Sequence, residues 1–322
     1  MKIGLLVGRE NTFPYPFLER VNAKGGGEIT AELVMLGGSS HEWASDYRLI
    51  VDRISHEIPY YREYLKVAVL RGTYVVNDPF WWLADDKFFE CALAQELGVA
   101  VPRTVALPNK EYIEGVTSES LRNLKYPVDW NGIVAYTGLP AFMKPSVGGG
   151  WKNVYKVNSV EELISAYDQT GTLPMILQEG IQYQQYVRCI CIGKTNIQVI
   201  PYNPSAPFHE RYGGDENYLS PELHGRIEHD ARLLNEALGY DMNTVEFAIR
   251  DGIPYAIDFL NPAPDFDSFS IGPYYFEWVL ETMSDFVIRK ALSDDTEGKG
   301  FPWYPLTTHA RAHVQEQPRI IS

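Results

Sequence analysis

Apolar positions along the chain change period several times, and each change predicts an element. Short apolar runs at 3–7, 29–36, 47–54 and 73–76 are bounded by glycine or charge and predict buried strands. Helical spacing occupies 16–23 and 60–71, so strand and helix alternate and predict an open α/β sheet. A helix follows over 85–97, with Asp85 placed to cap it and Gly98 to end it. The run 99–107 predicts a strand, and 110–138 a linker with one or two short helices. One strand then ends at Lys144, and another runs over 153–157 after the glycine turn Gly148, Gly149 and Gly150. A short helix at 160–168 and a strand at 175–178 complete a small α+β unit. Beyond it come a strand or hairpin over 186–200 and a polar loop over 203–219. Pro221 opens a helix that runs to 238, with Gly239 past its end. Strands at 244–249 and 253–259 flank Asp251-Gly252, a strong hairpin turn. A last helix spans 274–291, and the aromatic then basic tail after Gly298 has no readable pattern. The order divides the chain into 1–102, an N-terminal α/β part; 103–177, a small α+β part carrying the glycine turn; and 178–322, a C-terminal α+β part.

Bulk properties narrow the class. A formal net charge of −14 argues against general nucleic-acid binding, which relies on a basic surface. It leaves room for an anionic ligand, because a local cluster of lysine and arginine can invert the field. Cys91, Cys189 and Cys191 show no CxxC spacing, so buried reduced cysteines are expected rather than a metal or disulfide. The opening apolar run is too short for a signal peptide, and no stretch approaches membrane-span length. A cytoplasmic protein without membrane contact is the expectation.

The candidate chemistry lies where charge interrupts apolar pattern. Lys144 closes an apolar strand just before the glycine turn, and bare backbone amides beside a lysine make a sensible phosphate cover. It is not a Walker A loop, since no Gly-Lys-Ser/Thr opens a helix, and no GxGxxG follows the first strand. Glu246 within Val-Glu-Phe-Ala-Ile and Asp258 within Ala-Ile-Asp-Phe-Leu place carboxylates in apolar strands. Such groups are unfavourable unless paired or metal-bound, so function is favoured for both. Arg188 could be their structural counter-ion, and Lys87 alone a solvated helix charge. His209, His224 and His229 show no ligand spacing, and the Trp81-Trp82 pair is more often core than platform. No Gly-x-Ser-x-Gly or Cys/His signature suggests a covalent triad.

Taken in order, five pieces resemble the ATP-grasp superfamily. They are Asp86-Lys87 at a helix head, the 98–104 stretch, Lys144-Pro145 with the glycine turn, Gln178-Glu179, and Glu246 with the 257–262 stretch. The pattern is most similar to the glutathione synthase and ribosomal-protein glutamate ligase group, with D-alanine–D-alanine ligase further off. It covers most of 73–262. The resemblance implies an ATP-grasp fold of α/β and α+β subdomains preceded by an open α/β, pre-ATP-grasp part.

It also implies a set of roles. Lys87 and Lys144 would hold ATP phosphates under a lid of Gly148, Gly149 and Gly150. The strand holding Gln178, Glu179 and Ile181 would face adenine, and Gln185 would meet the ribose where an acid is usual. Arg188, and Arg211 by charge alone, would stabilise the transferring phosphoryl group. Mg²⁺ would sit on Glu246, Asp258 and Asn261, since it takes hard oxygen ligands. Here the chain departs from the pattern: Asp258 is three residues before Asn261, where two is usual. With Asp251 and Gly252 as turn residues, Glu246 faces Ile257, and Asp258 points away unless a β-bulge near Phe259 or a three-residue loop resets it; the bulge is the expectation. Asp265 or Asp267 would be substitute ligands. The implied activity is a carboxylate–amine ligase working through an acyl phosphate, with an amino acid or peptide as substrate. Substrates are expected near Arg9, Arg53, His56 and the 203–212 loop. A small-molecule kinase on the same scaffold and a nucleotide-binding protein without turnover are the alternatives. Dimers are common in families of this kind, so a homodimer is also expected.

Overall fold

The computed structural model describes residues 1–43, 45–80, 86–213 and 218–293. The Trp81-Trp82 pair, Asp85 and the tail from 294 onward lie outside them. The chain divides into two compact units, Met1–Trp81 with Asp265–Ser322, and Trp82–Pro264.

The first unit holds strands β1 (Lys2–Leu6), β2 (Thr30–Leu33), β3 (Leu49–Asp52) and β4 (Tyr74–Val76). All pair in parallel in the order β2-β1-β3-β4. Parallel strands require crossovers, which α1 (Pro14–Lys24) and α2 (Pro59–Leu70) supply. β3 is buried at every position, as expected for a sheet covered on both faces. The last helix, α7 (Ser268–Leu292), packs on α1 and β3. Arg20 pairs with Glu277 and Glu281, and Lys24 with Glu281 and Asp285, along the α1–α7 contact. α7 is interrupted at Gly272, whose φ of 78° is non-helical, and Pro273 follows. The sequence pattern marks only the helical stretch beyond that break. The sequence division keeps this helix with 178–322, whereas its contacts belong to the first unit.

The second unit begins with α3 (Lys87–Glu96). Its cap is Asp86, whose carboxylate accepts from the Phe88 and Phe89 amides, one residue beyond the expected Asp85. β5 (Thr104–Leu107), β6 (Ala141–Pro145), β7 (Tyr155–Val157) and β8 (Met175–Glu179) form an antiparallel sheet in the order β5-β8-β6-β7. Helices α4 (Trp130–Thr137) and α5 (Val160–Tyr167) contribute to its core. The strand expected over 99–107 is shorter because residues 99–103 bridge two sheets instead. Ala100 accepts from the Ala256 amide and Arg103 from the Glu179 amide. The other sheet runs β10-β9-β11-β12, with β9 (Gln185–Ile192), β10 (Asn196–Pro201), β11 (Met242–Arg250) and β12 (Ile253–Asp258). Val187, Cys189, Cys191, Val245, Phe247 and Ile249 face a core shared with α6 (Pro221–Leu238). Period-two alternation therefore turns Tyr186, Arg188, Thr244 and Glu246 to the opposite face. All three cysteines are buried and unbridged. No described helix is long and apolar enough to cross a membrane.

Candidate active site

The site is built where the two sheets of the second unit share a cavity of about 420 Å³. Lys87, Lys144, Gly148, Gly149, Gly150, Gln178, Glu179, Ile181, Glu246 and Asp258 all line it. Each arrives from a different element for a local reason. Lys87 stands in the first turn of α3; its amide donates to Ser146 O, and its Nζ donates to Gly148 O at 2.6 Å. Lys144 is the penultimate residue of β6, and its Nζ reaches Ile257 O at 3.3 Å on β12. Burial lowers the Lys144 pKa, and neighbouring Lys87 adds to this, while Asp258 and Glu246 oppose it. A lysine so placed gains from a bound anion.

Between β6 and β7 the glycine turn adopts left-handed backbone at Gly148 (φ 92°) and Gly150 (φ 74°). A Cβ added at Gly148, Gly149 or Gly150 would meet nothing within 4 Å. Backbone conformation, not crowding, is therefore what calls for glycine at 148 and 150. Trp151 (φ 60°) and Asn153 (φ 55°) share that conformation without being glycine.

The carboxylates meet across β11 and β12. The two-residue turn Asp251-Gly252 sets Arg250 opposite Ile253 and Phe247 opposite Ala256. The register then shifts between Glu246 and Phe247, and Glu246 pairs with Asp258. Ile257 is the extra residue, so the expected bulge exists, two positions before Phe259. Ile257 and Asp258, adjacent in sequence, both line the cavity, while Ala256 and Phe259 stay in the α6 core. Arg188 lies opposite Glu246 on the other side, giving a row Arg188–Glu246–Asp258 across three strands. Arg188 Nη1 is 3.6 Å from Glu246 Oε1, and Arg188 Nη2 donates to Thr244 Oγ1 at 3.0 Å. Its guanidinium also lies over the rings of Tyr202 and Tyr212. Burial opposes the charge on Arg188, but Tyr212 and Glu246 outweigh it and hold the pKa above the usual arginine value.

Burial raises the Glu246 pKa, Asp258 raises it further, and Arg188, the Tyr186 hydroxyl and Lys144 counter the rise. A second carboxylate, Asp258, lies opposite Glu246, and a divalent cation would offset the negative charge of the pair. Among the described residues no group of three or more His, Cys, Asp or Glu gathers. Glu246 and Asp258 line the cavity and are hard oxygen donors of the kind that could hold Mg²⁺; Asn261 lies outside the cavity lining. Asn261 is fixed by Nδ2 donating to Thr244 Oγ1 at 2.8 Å and by its amide bonding Asn243 Oδ1.

Other expected residues make contacts within their own units. Gln185 donates its side-chain amide to Tyr218 O. Arg211 Nε donates to Ala206 O at 3.0 Å, closing its own loop, although Pro204 and Ser205 of that loop line the cavity. Glu179 lines the cavity, but its carboxylate is held by Arg103 and Arg250. Asp267 accepts from the Asn11 and Thr12 amides and the Thr12 hydroxyl within the first unit, and Asp265 accepts from the Asp267 amide. Arg53 is buried against Glu10 and over the Phe266 ring, Arg9 pairs with Glu57, and His56 lies near Glu57. Sequence reading missed Tyr183, Tyr186 and Trp151 as cavity residues; Tyr186 in β9 has the same alternating pattern as a core position.

No family model matches the sequence. A RimK domain protein ATP-grasp from Sphaerobacter thermophilus superposes with a TM-score of 0.63 at 19% identity, over 89% of this chain and 99% of that one. The chain has the ATP-grasp fold. The D-alanine–D-alanine ligase of Bacillus anthracis, solved with ATP, shares this ATP-grasp architecture at a TM-score of 0.59 and 16% identity, over 91% and 97% of the two chains. By sequence, the D-alanine–D-alanine ligase of Polynucleobacter asymbioticus is 27% identical over 201 residues, covering 55% of this chain and 59% of that protein. The chain thus matches less than two thirds of the length of such curated relatives. These curated relatives are D-alanine–D-alanine ligases, the group that the sequence motifs place further off.

Proposed function

We propose that this chain is an ATP-dependent carboxylate–amine ligase. The reading is carried by one observation: Lys87, Lys144, the glycine turn, Glu246 and Asp258 converge on a single cavity. An acid's carboxylate oxygen attacks the γ-phosphorus of ATP, the bond to the β-phosphate oxygen breaks, and ADP leaves. The amine nitrogen then attacks the acyl carbon of the acyl phosphate, loses its proton, and expels phosphate to leave an amide. Lys87 and Lys144 hold the phosphates, and Gly148, Gly149 and Gly150 cover them. Backbone at Gln178, Glu179 and Ile181 meets adenine, because the Glu179 carboxylate is already held by two arginines. Arg188 offsets negative charge beside Glu246, and Arg211 shapes the 203–212 loop. Glu246, Asp258 and Asn261 would hold Mg²⁺, which would supply positive charge to offset the negative charge of the phosphates. The remaining work is positioning and electrostatics by the chain's own groups.

The names of the curated relatives favour an amino acid or short peptide as substrate. A cytoplasmic location, absence of nucleic-acid partners and a homodimer belong to the same proposal, the dimer being readable by light scattering. The division into 1–102, 103–177 and 178–322 belongs to the same proposal. The test is a screen of amino acids and small peptides for stimulated phosphate release, with amide product followed by mass spectrometry. Phosphate release coupled to amide supports the ligase. A phosphorylated product with no amide would establish a kinase, and no turnover with intact nucleotide affinity a binding protein.

A further inference from the structure

Tyr186 stands in β9 two residues before Arg188, on the cavity face of the sheet. Its hydroxyl donates to Glu246 Oε2, while Arg188 faces Glu246 Oε1. Both oxygens of one carboxylate are therefore oriented by groups from the neighbouring strand. The Tyr186 ring is itself fixed, packed at 5.1 Å centroid distance against Tyr183 and at 6.0 Å against Tyr202. Tyr186 is buried, its amide donates to the Tyr218 hydroxyl at 2.9 Å, and its carbonyl accepts from the Tyr202 amide at 2.9 Å. A hydroxyl held this firmly cannot follow a carboxylate that rotates, so it selects one carboxylate orientation.

We propose that Tyr186 is a positioning residue that fixes the Glu246 carboxylate for a divalent cation shared with bound nucleotide. The inference rests on the metal reading given under Proposed function. Groups that hydrogen-bond a metal's carboxylate ligand orient it, and their loss weakens metal binding by about 10–100-fold. The phenyl ring of Tyr186→Phe keeps the packing and removes only the bond to Glu246. Sequence pattern could not supply this role, because the geometry depends on the register Glu246↔Arg188 between β11 and β9.

The experiment is calorimetric titration of a non-hydrolysable ATP analogue into the full chain, with Mg²⁺ and in EDTA. The readout is the ratio of the two affinities, which needs no turnover. Tyr186→Phe is expected to bind the analogue in EDTA as the parent does and to lose about tenfold or more of the Mg²⁺-dependent gain. Tyr167→Phe removes a tyrosine hydroxyl, bonded to Pro108 O, that lies outside the cavity lining and is expected to keep that gain. An unchanged gain in Tyr186→Phe overturns the proposal, as does an equal loss in EDTA, which would mark a role in packing alone. Melting curves check the fold of each variant, and Tyr186→Leu gives a second reading if Tyr186→Phe is unstable. Should Glu246→Ala keep the full Mg²⁺ gain, the metal reading itself falls and takes this inference with it. A parent that retains the gain and loses it in Glu246→Ala but not in Tyr186→Phe refutes only the role of Tyr186.

Discussion

Single residues carry the chemistry where charge sits against burial. Glu246 and Asp258 were legible because a carboxylate in an apolar strand needs a partner, and Lys144 because it stands near the end of such a strand. Their partners were not, since Arg188 and Tyr186 meet Glu246 only through strand register. Asp258→Asn keeps the shape and removes one negative charge opposite Glu246. Its expected effect on ATP turnover is a fall of about 100-fold, the size seen when one preorganised electrostatic contact is lost, with the melting temperature at or above the parent's because the like-charge contact is relieved. Steady-state phosphate release and a thermal melt check both halves. Asp267 gives an acid-stability prediction. Burial alone would raise its pKa, but bonds from the Thr12 amide and hydroxyl and the Asn11 amide outweigh it and hold the pKa below 3.8. A depressed folded pKa adds stability above the unfolded value, lost as pH falls through the folded one. Asp267→Asn should thus lower the melting temperature at neutral pH and flatten the decline below about pH 4 relative to the parent. Melts across pH 2.5–7 read this out (about 0.5 unit apart), and an unchanged acid limb would contradict it.

At the scale of elements, local signals served where they were complete. Pro221 and left-handed Gly239 bound α6 as read, and Asp251-Gly252 makes the β11–β12 turn with both residues at positive φ. The bulge was legible as a conflict: period two could not place both Glu246 and Asp258 on one face, so an extra residue had to enter. Its site at Ile257 rather than Phe259 was not legible, because Phe259 is held by the α6 core. The lid separates conformation from crowding. Gly148 needs positive φ and Gly149 does not, although a methyl has room at both. Left-handed backbone destabilises a non-glycine residue by about 1–2 kcal/mol, which corresponds to roughly 5–30-fold in affinity for a ligand that needs that conformation. Gly148→Ala should raise the nucleotide KM by that factor, and Gly149→Ala by less than about twofold on the same reasoning. Equal effects at the two positions would show that lid conformation does not limit binding.

The whole molecule exposes what period cannot encode. The alternation of strands and helices conveyed the open parallel sheet at the start, but nothing local told that α7 returns to it, because helix spacing names an apolar face and not its partner. The same holds for residues 99–103, whose pattern reads as strand while their hydrogen bonds join two sheets. That junction holds a cluster: Arg103 precedes β5, Arg250 ends β11, and both bind Glu179 at the end of β8. Burial would raise the Glu179 pKa, and bonds from Arg103 and Arg250 reverse this, so it lies below the ordinary carboxylate value. The pair energies should differ. Arg103 is half exposed, and an exposed ion pair contributes about 0–1 kcal/mol. Glu179 is nearly buried, and removing it leaves two guanidiniums facing each other, a loss of about 3 kcal/mol by analogy with broken buried pairs. Arg250 also stacks over Tyr255 at 4.6 Å and so falls between them. The expected order of destabilisation is therefore Glu179→Ala, then Arg250→Ala, then Arg103→Ala, measured by thermal melts of the full chain above pH 6. Because a depressed pKa contributes only above the unfolded value, the gap between Glu179→Ala and parent should close as pH falls through the folded pKa. If Arg103→Ala matched Glu179→Ala, or the gap held constant in acid, the cluster would not be what fastens one sheet to the other, and the bonds from Ala256 to Ala100 and from Glu179 to Arg103 along the backbone would have to do it alone.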